Sequence, residues 1–302
     1  MSARVRAKRP PQEAATRTIL DSGAYSAYTQ NKEVNAEEYI RYCVQYQHHY
    51  SRIIVLDTIP PKTEEQKKKK KAKYDKGTYE STSPEAAEFG AKNSFDMWVR
   101  MRDAGIQNAT PVFHRFERFY WLERYLDEGA DYICFGPGAY SSHSKKRDWL
   151  DQCFSTICDS DGYPTVDTHG LAVTSVELIM RYPWTSVDSA AWCKRAGFGV
   201  VLVPKGKNKD GSYDYSRGAW SVAVSDVAFE QAMGKDGQRK IFFNLSKAEK
   251  DYVLEYLRTV CGKNFSEVAI SPHHRRVCNI VFFHELGKSH NVDRFVQTRG
   301  LF

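Results

Sequence analysis

The feature that most constrains this chain is a rhythm. Short β-branched or aromatic runs alternate with longer segments of helical periodicity. Residues 17–20 (RTIL), 52–56 (RIIVL), 110–113 (TPVF), 131–135 (DYICF), 163–166 (YPTV) and 184–187 (WTSV) read as strands. Residues 36–47, 85–104, 117–128, 145–158 and 174–181 read as helices, with Ser83-Pro84-Glu85 a start signal and Gly105 a stop. Strands interleaved with helices imply parallel βαβ units. No glycine-rich phosphate fingerprint follows the first strand, so the pattern predicts an α/β fold of the (β/α)8 barrel type, irregular or incomplete, over a doubly wound sheet.

Around this rhythm, residues 1–16 read as a flexible basic arm and 17–302 as one barrel domain, with polar insertions at 61–83 and 205–218. Beyond residue 219 the pattern predicts a helix at 246–260, an apolar strand at 278–283 and closure of the barrel. Hydrophobic residues make up 41% and charged residues 27%, which supports a packed core and excludes global disorder. No apolar run approaches the roughly 20 residues that span a bilayer. The basic N-terminus lacks the apolar stretch of a secretory signal, so a cytoplasmic protein without membrane contact is expected. The seven cysteines fit reduced thiols.

The strand ends carry the chemistry. RTIL stops on Asp21, followed by Ser22 and Gly23. RIIVL leads to Asp57, TPVF to His114 and DYICF to Gly136. YPTV ends on Asp167, with His169 beyond it, and WTSV ends on Asp188. In a parallel barrel all strand C-termini open on one face, where such folds place their active sites. A single strand-end aspartate is as well explained by capping the next helix. Acids recurring on successive strands point instead to a shared pocket. Paired carboxylates without a metal-ligand cluster suit glycosyl chemistry, one attacking the anomeric carbon and the other handling the proton. Small residues at 22–24 and 136–138 let a flat ligand lie against the backbone.

The net charge of +7 is modest support for a polyanionic partner. The cations that follow strand ends or sit in loops are candidate backbone contacts: Lys67, Lys68 and Lys69 in the run Lys67–Lys71, then Arg115, Lys145, Lys146, Arg147, Lys194 and Arg195.

These residues carry a resemblance. DSGAYS at 21–26, GADYICFGPGAY at 129–140 and SVDSAAW at 186–192 resemble, in order and spacing, the motifs of the tRNA-guanine transglycosylase superfamily. They look most like its virus-associated DNA branch, which inserts 7-deazaguanine bases. The likeness covers about residues 16–200.

The resemblance implies that Asp188 is the nucleophile forming a covalent glycosyl-enzyme and that Asp21 is the general acid/base. It implies that Asp57 reads the purine's N1–H and amino group, and that amides at Gly136 and Gly138 bind O6. Tyr25 either stacks on the base or packs in the core. His114 and His169 line the pocket, His114 standing where the family usually has a polar amide. The implied partners are DNA, with its guanine flipped out or single-stranded, and a free 7-deazaguanine base; no cofactor is required.

Three departures matter. The family's CxCxxC zinc motif is absent, and Cys261, His273, His274, Cys278 and His284 fit no standard zinc module, so structural zinc there is carried only as an alternative. Ala24 and Ser26 replace the family's glycine and glutamine. No appended RNA-binding domain is apparent, which favours DNA over tRNA. The competing readings are a tRNA-guanine transglycosylase, a DNA glycosylase or nucleosidase, and a non-catalytic nucleic-acid-binding barrel.

Overall fold

A computed structural model describes residues 18–59, 83–138, 142–225 and 239–296. The basic arm, nearly all of the 61–83 insertion and the lysines at 67–71 lie outside the described residues. The fold is mixed α/β and divides into two compact units: residues 1–172, 184–186 and 294–302, and residues 173–183 and 187–293.

In the first unit the strands come in chain order. β1 (Ile19–Leu20) pairs in parallel with β2 (Arg52–Ile54), and β2 with β3 (Ala109–Thr110). After Pro111, β4 (Val112–His114) pairs in parallel with β5 (Tyr132–Gly136), and β5 with β6 (Asp167–Gly170); β7 (Ser186–Val187) is next in order. Pro111 divides β3 from β4 because it has no N–H for the ladder. Its carbonyl still accepts from the Cys134 N–H at 2.9 Å.

The connecting helices are α1 (Ala24–Gln30), α2 (Ala36–Tyr46), α3 (Pro84–Asp103), α4 (Phe119–Asp127) and α5 (His143–Ile157). The start of α3 is as expected: Pro84 occupies the first turn and the Ser83 hydroxyl accepts the Ala86 N–H.

The strand period of two separates the faces of this sheet. Phe113 stacks on Trp149 of α5 at 5.6 Å, and Phe135 meets Phe154 of the same helix at 5.7 Å. Those alternate positions carry the helix-covered apolar core. Between them, the register sets His114 beside Gly136 and Cys134 beside His169, so these residues share the opposite face.

The second unit holds α6 (Val176–Arg181), α7 (Ala191–Gly197), β8 (Val200–Pro204), β9 (Ala219–Ala223), β10 (Arg239–Ile241), α8 (Lys247–Thr259), α9 (Phe265–Ile270) and α10 (Pro272–Ser289). β8 and β9 are antiparallel, and β10 joins β9 in parallel. The expected loop at 205–218 connects β8 to β9, closed by a Lys207–Tyr213 bridge. Asn279 of α10, fully buried, ties the unit together. Its Nδ2 donates to the Trp192 and Val200 carbonyls, and its Oδ1 accepts the Leu202 N–H.

Two expected strands are corrected. Residues 163–166 form only a bridge from Pro164 to Cys158, because the Asp159 carboxylate gathers the Asp161 and Tyr163 N–H groups into a turn. The strand begins later, at Asp167. Residues 278–283 lie inside α10, not in a strand. Buried Cys278, Asn279, Phe282 and Leu286 follow helical spacing, and the helix starts earlier, at Ser271-Pro272.

Candidate active site

The residues brought together lie at the C-terminal ends of β1, β2, β4 and β5. The chain after β1 turns at once: Asp21 Oδ1 accepts the Gly23 N–H at 3.2 Å, and Gly23 adopts φ of +73° to open α1. That left-handed conformation is why a glycine serves there. Ser22 is buried and its Oγ accepts the Ala24 N–H. Asp21 and Tyr25 are exposed, so Tyr25 does not pack in the core.

The geometric centre of the site is His114. Its Nε2 is 2.8 Å from Asp57 Oδ2, and its backbone N–H donates to Glu117 Oε2 at 3.1 Å. Its ring lies where Gly136 lacks a side chain: a Cβ built on Gly136 would stand 2.6 Å from Nδ1. Any larger residue at 136 would displace the ring. Gly136 is thus explained by packing against the imidazole, whereas the motif suggested ligand access. Asp57 is largely enclosed, with a side-chain exposure of 9%. Its Oδ1 accepts from no described residue.

The electrostatics follow from this packing. Burial alone pushes the His114 imidazole down, but the hydrogen bond to Asp57 and the charges of Glu117 and Asp57 outweigh it, raising the pKa to about 9. His114 is therefore a cation at neutral pH. Glu117 is pushed up to about 7, chiefly by burial; the His114 charge opposes the shift, and Asp57 and Glu88 add to it. Tyr39 donates to the Ile54 carbonyl at 2.6 Å. Burial raises its pKa, with smaller contributions from Cys43, Asp21 and Asp57.

Farther from the strand ends, His169 Nδ1 is hydrogen-bonded to Ser186 Oγ at 2.7 Å, and Ser186 Oγ to the Tyr132 hydroxyl at 2.7 Å. The Arg52 guanidinium lies 4.7 Å from the Tyr132 ring centre and bonds Asp131. His169 thus sits within β6, engaged in a buried network. Asp167 is also corrected: it opens β6 where it was expected to end a strand, and it accepts the Thr185 hydroxyl at 2.9 Å. The register shift at Pro164 accounts for both.

Asp188 belongs to the second unit. It is exposed, directly follows β7, and precedes Ser189, whose Oγ accepts the Ala191 N–H at the start of α7. Gly138 follows β5 with φ of +80°.

Arg115 and Lys145 line a cleft of about 470 Å³ with Phe116, Phe119, Asp148, Trp149 and Gln152. The nearby Lys146 has a lowered pKa, from burial and the Arg115 charge. Arg147 pairs with Asp148 at 3.4 Å. In the second unit Lys194 is exposed, and Arg195 donates to Ser221 Oγ at 2.5 Å.

Cys261 and Cys278 are free, buried thiols. Among the described residues no group of three or more His, Cys, Asp or Glu is gathered to hold a metal ion. No helix of the described residues is long and apolar enough to cross a membrane.

Sequence reasoning missed Glu117 and Tyr39. The signal for Glu117 was its place three residues after His114, the length of the turn that brings its carboxylate back to the His114 N–H. No protein-family model and no curated protein matches the chain.

Proposed function

We propose that this protein is a DNA-guanine transglycosylase, exchanging guanine in DNA for a 7-deazaguanine base, on a (β/α)8-type barrel. The chain-order pairing of β1 to β3 and of β4 to β6 supports the barrel, because a doubly wound sheet reverses its order at a switch point. The observation that carries the functional reading is Asp57. It is an enclosed carboxylate at a strand end, one oxygen engaged by His114 and the other accepting from no described residue. Asp21 follows β1, the strand paired with β2, and is the second acid of the proposed reaction.

In the proposed reaction a carboxylate oxygen of Asp188 attacks C1′ of the guanosine. The C1′–N9 bond breaks, and its electron pair leaves on the base as Asp21 delivers a proton. The incoming base loses its N9 proton to Asp21, and its N9 then displaces the Asp188 ester at C1′. Two inversions give net retention. The target base must first leave the duplex or be single-stranded, at a cost of a few kcal/mol. Arg115, Lys145, Lys146, Arg147, Lys194 and Arg195 are the proposed backbone contacts among the described residues, and the reaction calls for no cofactor.

The test is mass spectrometry of nucleosides from duplex DNA, and in parallel tRNA, incubated with the protein and cyano-, aminomethyl- or amidino-7-deazaguanine. Incorporation into DNA is expected and should vanish in Asp188→Ala and Asp21→Ala. Wild-type turnover in either variant would overturn the assignment. Incorporation into tRNA alone, or release of guanine without incorporation, would establish one of the competing chemistries.

A further inference from the structure

We propose that His114 is a specificity-positioning residue. It holds Asp57 by Oδ2, so that Oδ1 stands as a fixed, acceptor-only contact for the N–H edge of a neutral nitrogen heterocycle. The identity of that heterocycle as a guanine-type base rests on the proposed function; the clamp itself does not.

Two contacts hold the imidazole and a third holds its backbone. Its Nε2 meets Asp57 at 2.8 Å, its backbone N–H is taken by Glu117 at 3.1 Å, and its Nδ1 edge fills the space left by Gly136. A side chain so confined cannot swing away when a ligand enters. The Asp57 carboxylate is aimed before binding, and the ordering cost is not charged to the ligand. As a carboxylate bonded to the imidazole through Oδ2, Asp57 presents in Oδ1 an acceptor and not a donor. A heterocycle presenting N–H there is bound; one presenting a ring-nitrogen lone pair is repelled.

The charged and titratable groups facing this assembly are Glu117 in the turn after β4, Glu88 on α3, Tyr125 on α4, and Asp21 and Tyr39 on the β1 and α2 side. Of these, Glu117 is the one poised near neutrality.

His114→Gln and Asp57→Asn test the proposal. Guanine binding measured by calorimetry should weaken about 10- to 100-fold in either variant, the range expected for losing a charge-assisted contact. Adenine should bind poorly to the wild type and gain relative to guanine in Asp57→Asn. If exchange occurs, His114→Gln should raise KM for the base and leave kcat within a few-fold. Nitrogen NMR of the imidazoles should show the His114 titration moving toward 6.5 in Asp57→Asn.

Guanine exchange or binding unaltered by His114→Gln would overturn the proposal and leave the transglycosylase reading intact. Guanine binding that depends on His114, without exchange, would refute that reading and support the clamp. A protein that binds no guanine refutes the guanine reading, and a His114 titration unmoved by Asp57→Asn overturns the clamp.

Discussion

Replacing Gly136 with alanine is the most informative perturbation of the strand-end site. The added Cβ would stand 2.6 Å from His114 Nδ1, and ordinary contact begins at 3.4 Å, so the ring must retreat by about 0.8 Å. The imidazole is hydrogen-bonded to Asp57, and its backbone is held in β4 and by Glu117. A displacement of that size is large enough to spoil the geometry of the 2.8 Å hydrogen bond. Overpacking costs about 1–3 kcal/mol, and weakening a charge-assisted bond costs a comparable amount. The two overlap, and a net loss of roughly 3 kcal/mol corresponds to a Tm drop on the order of 5–10 °C.

A pH signature separates this mechanism from a generic packing defect. His114 has a folded pKa of about 9, above its ordinary 6.5. Its stabilisation is therefore complete below pH 6.5 and lost as pH rises through 9, roughly 3 kcal/mol in all. Glu117, raised to about 7, gives a loss of the same sign at lower pH, between 4.5 and 7. Thermal denaturation should thus be compared at pH 7.5 and pH 10. The gap between wild type and Gly136→Ala should narrow markedly at pH 10. An equal gap at both pH values, or an unchanged Tm at pH 7.5, would refute the reasoning.

Two further outcomes probe the second unit. Gly287→Ala, in the last turns of α10 where an added Cβ meets nothing within 4 Å, should stabilise by about 0.5–1 kcal/mol and raise the urea midpoint. Asn279→Leu leaves the Leu202 N–H and the Trp192 and Val200 carbonyls without their side-chain partner. It should cost about 3 kcal/mol or more and lower that midpoint well below wild type.

Much of the first unit is legible from sequence because its signals are local. Ser83-Pro84 begins α3 as expected, and Asp21, Asp57 and His114 follow β-branched runs that do form parallel pairs. The failures have identifiable physics. Pro164 sits in a run whose composition is strand-like, but the Asp159 turn captures its neighbours, and pairing starts four residues later than the run suggests. The apolar stretch VCNIVFF reads as a strand by length. Only the buried set at 278, 279, 282 and 286 exposes its helical period. Tyr39 is invisible to motif reasoning because it acts across the fold, through a carbonyl 15 residues away, whereas Glu117 acts locally, its carboxylate returning to the His114 N–H.

The relation between His114 and Gly136 shows why local reading of the site falls short. Taken singly, a histidine after a strand is a generic pocket residue, and a glycine in a G-P-G run is a generic turn residue. The register pairs them directly, on the face of the sheet turned away from the aromatic core of Phe113, Phe135 and Trp149. An imidazole can lie flat across the neighbouring strand only if that strand offers bare backbone. The bare backbone is tolerable in a buried strand only because the imidazole fills it. The two positions are one structural unit, and Asp57 is what makes the unit charged. The departure from a polar amide at position 114 then has a physical account. An amide can neither carry a charge to pair with Asp57 nor fill the space beside Gly136 with a rigid ring, so a histidine here requires both partners.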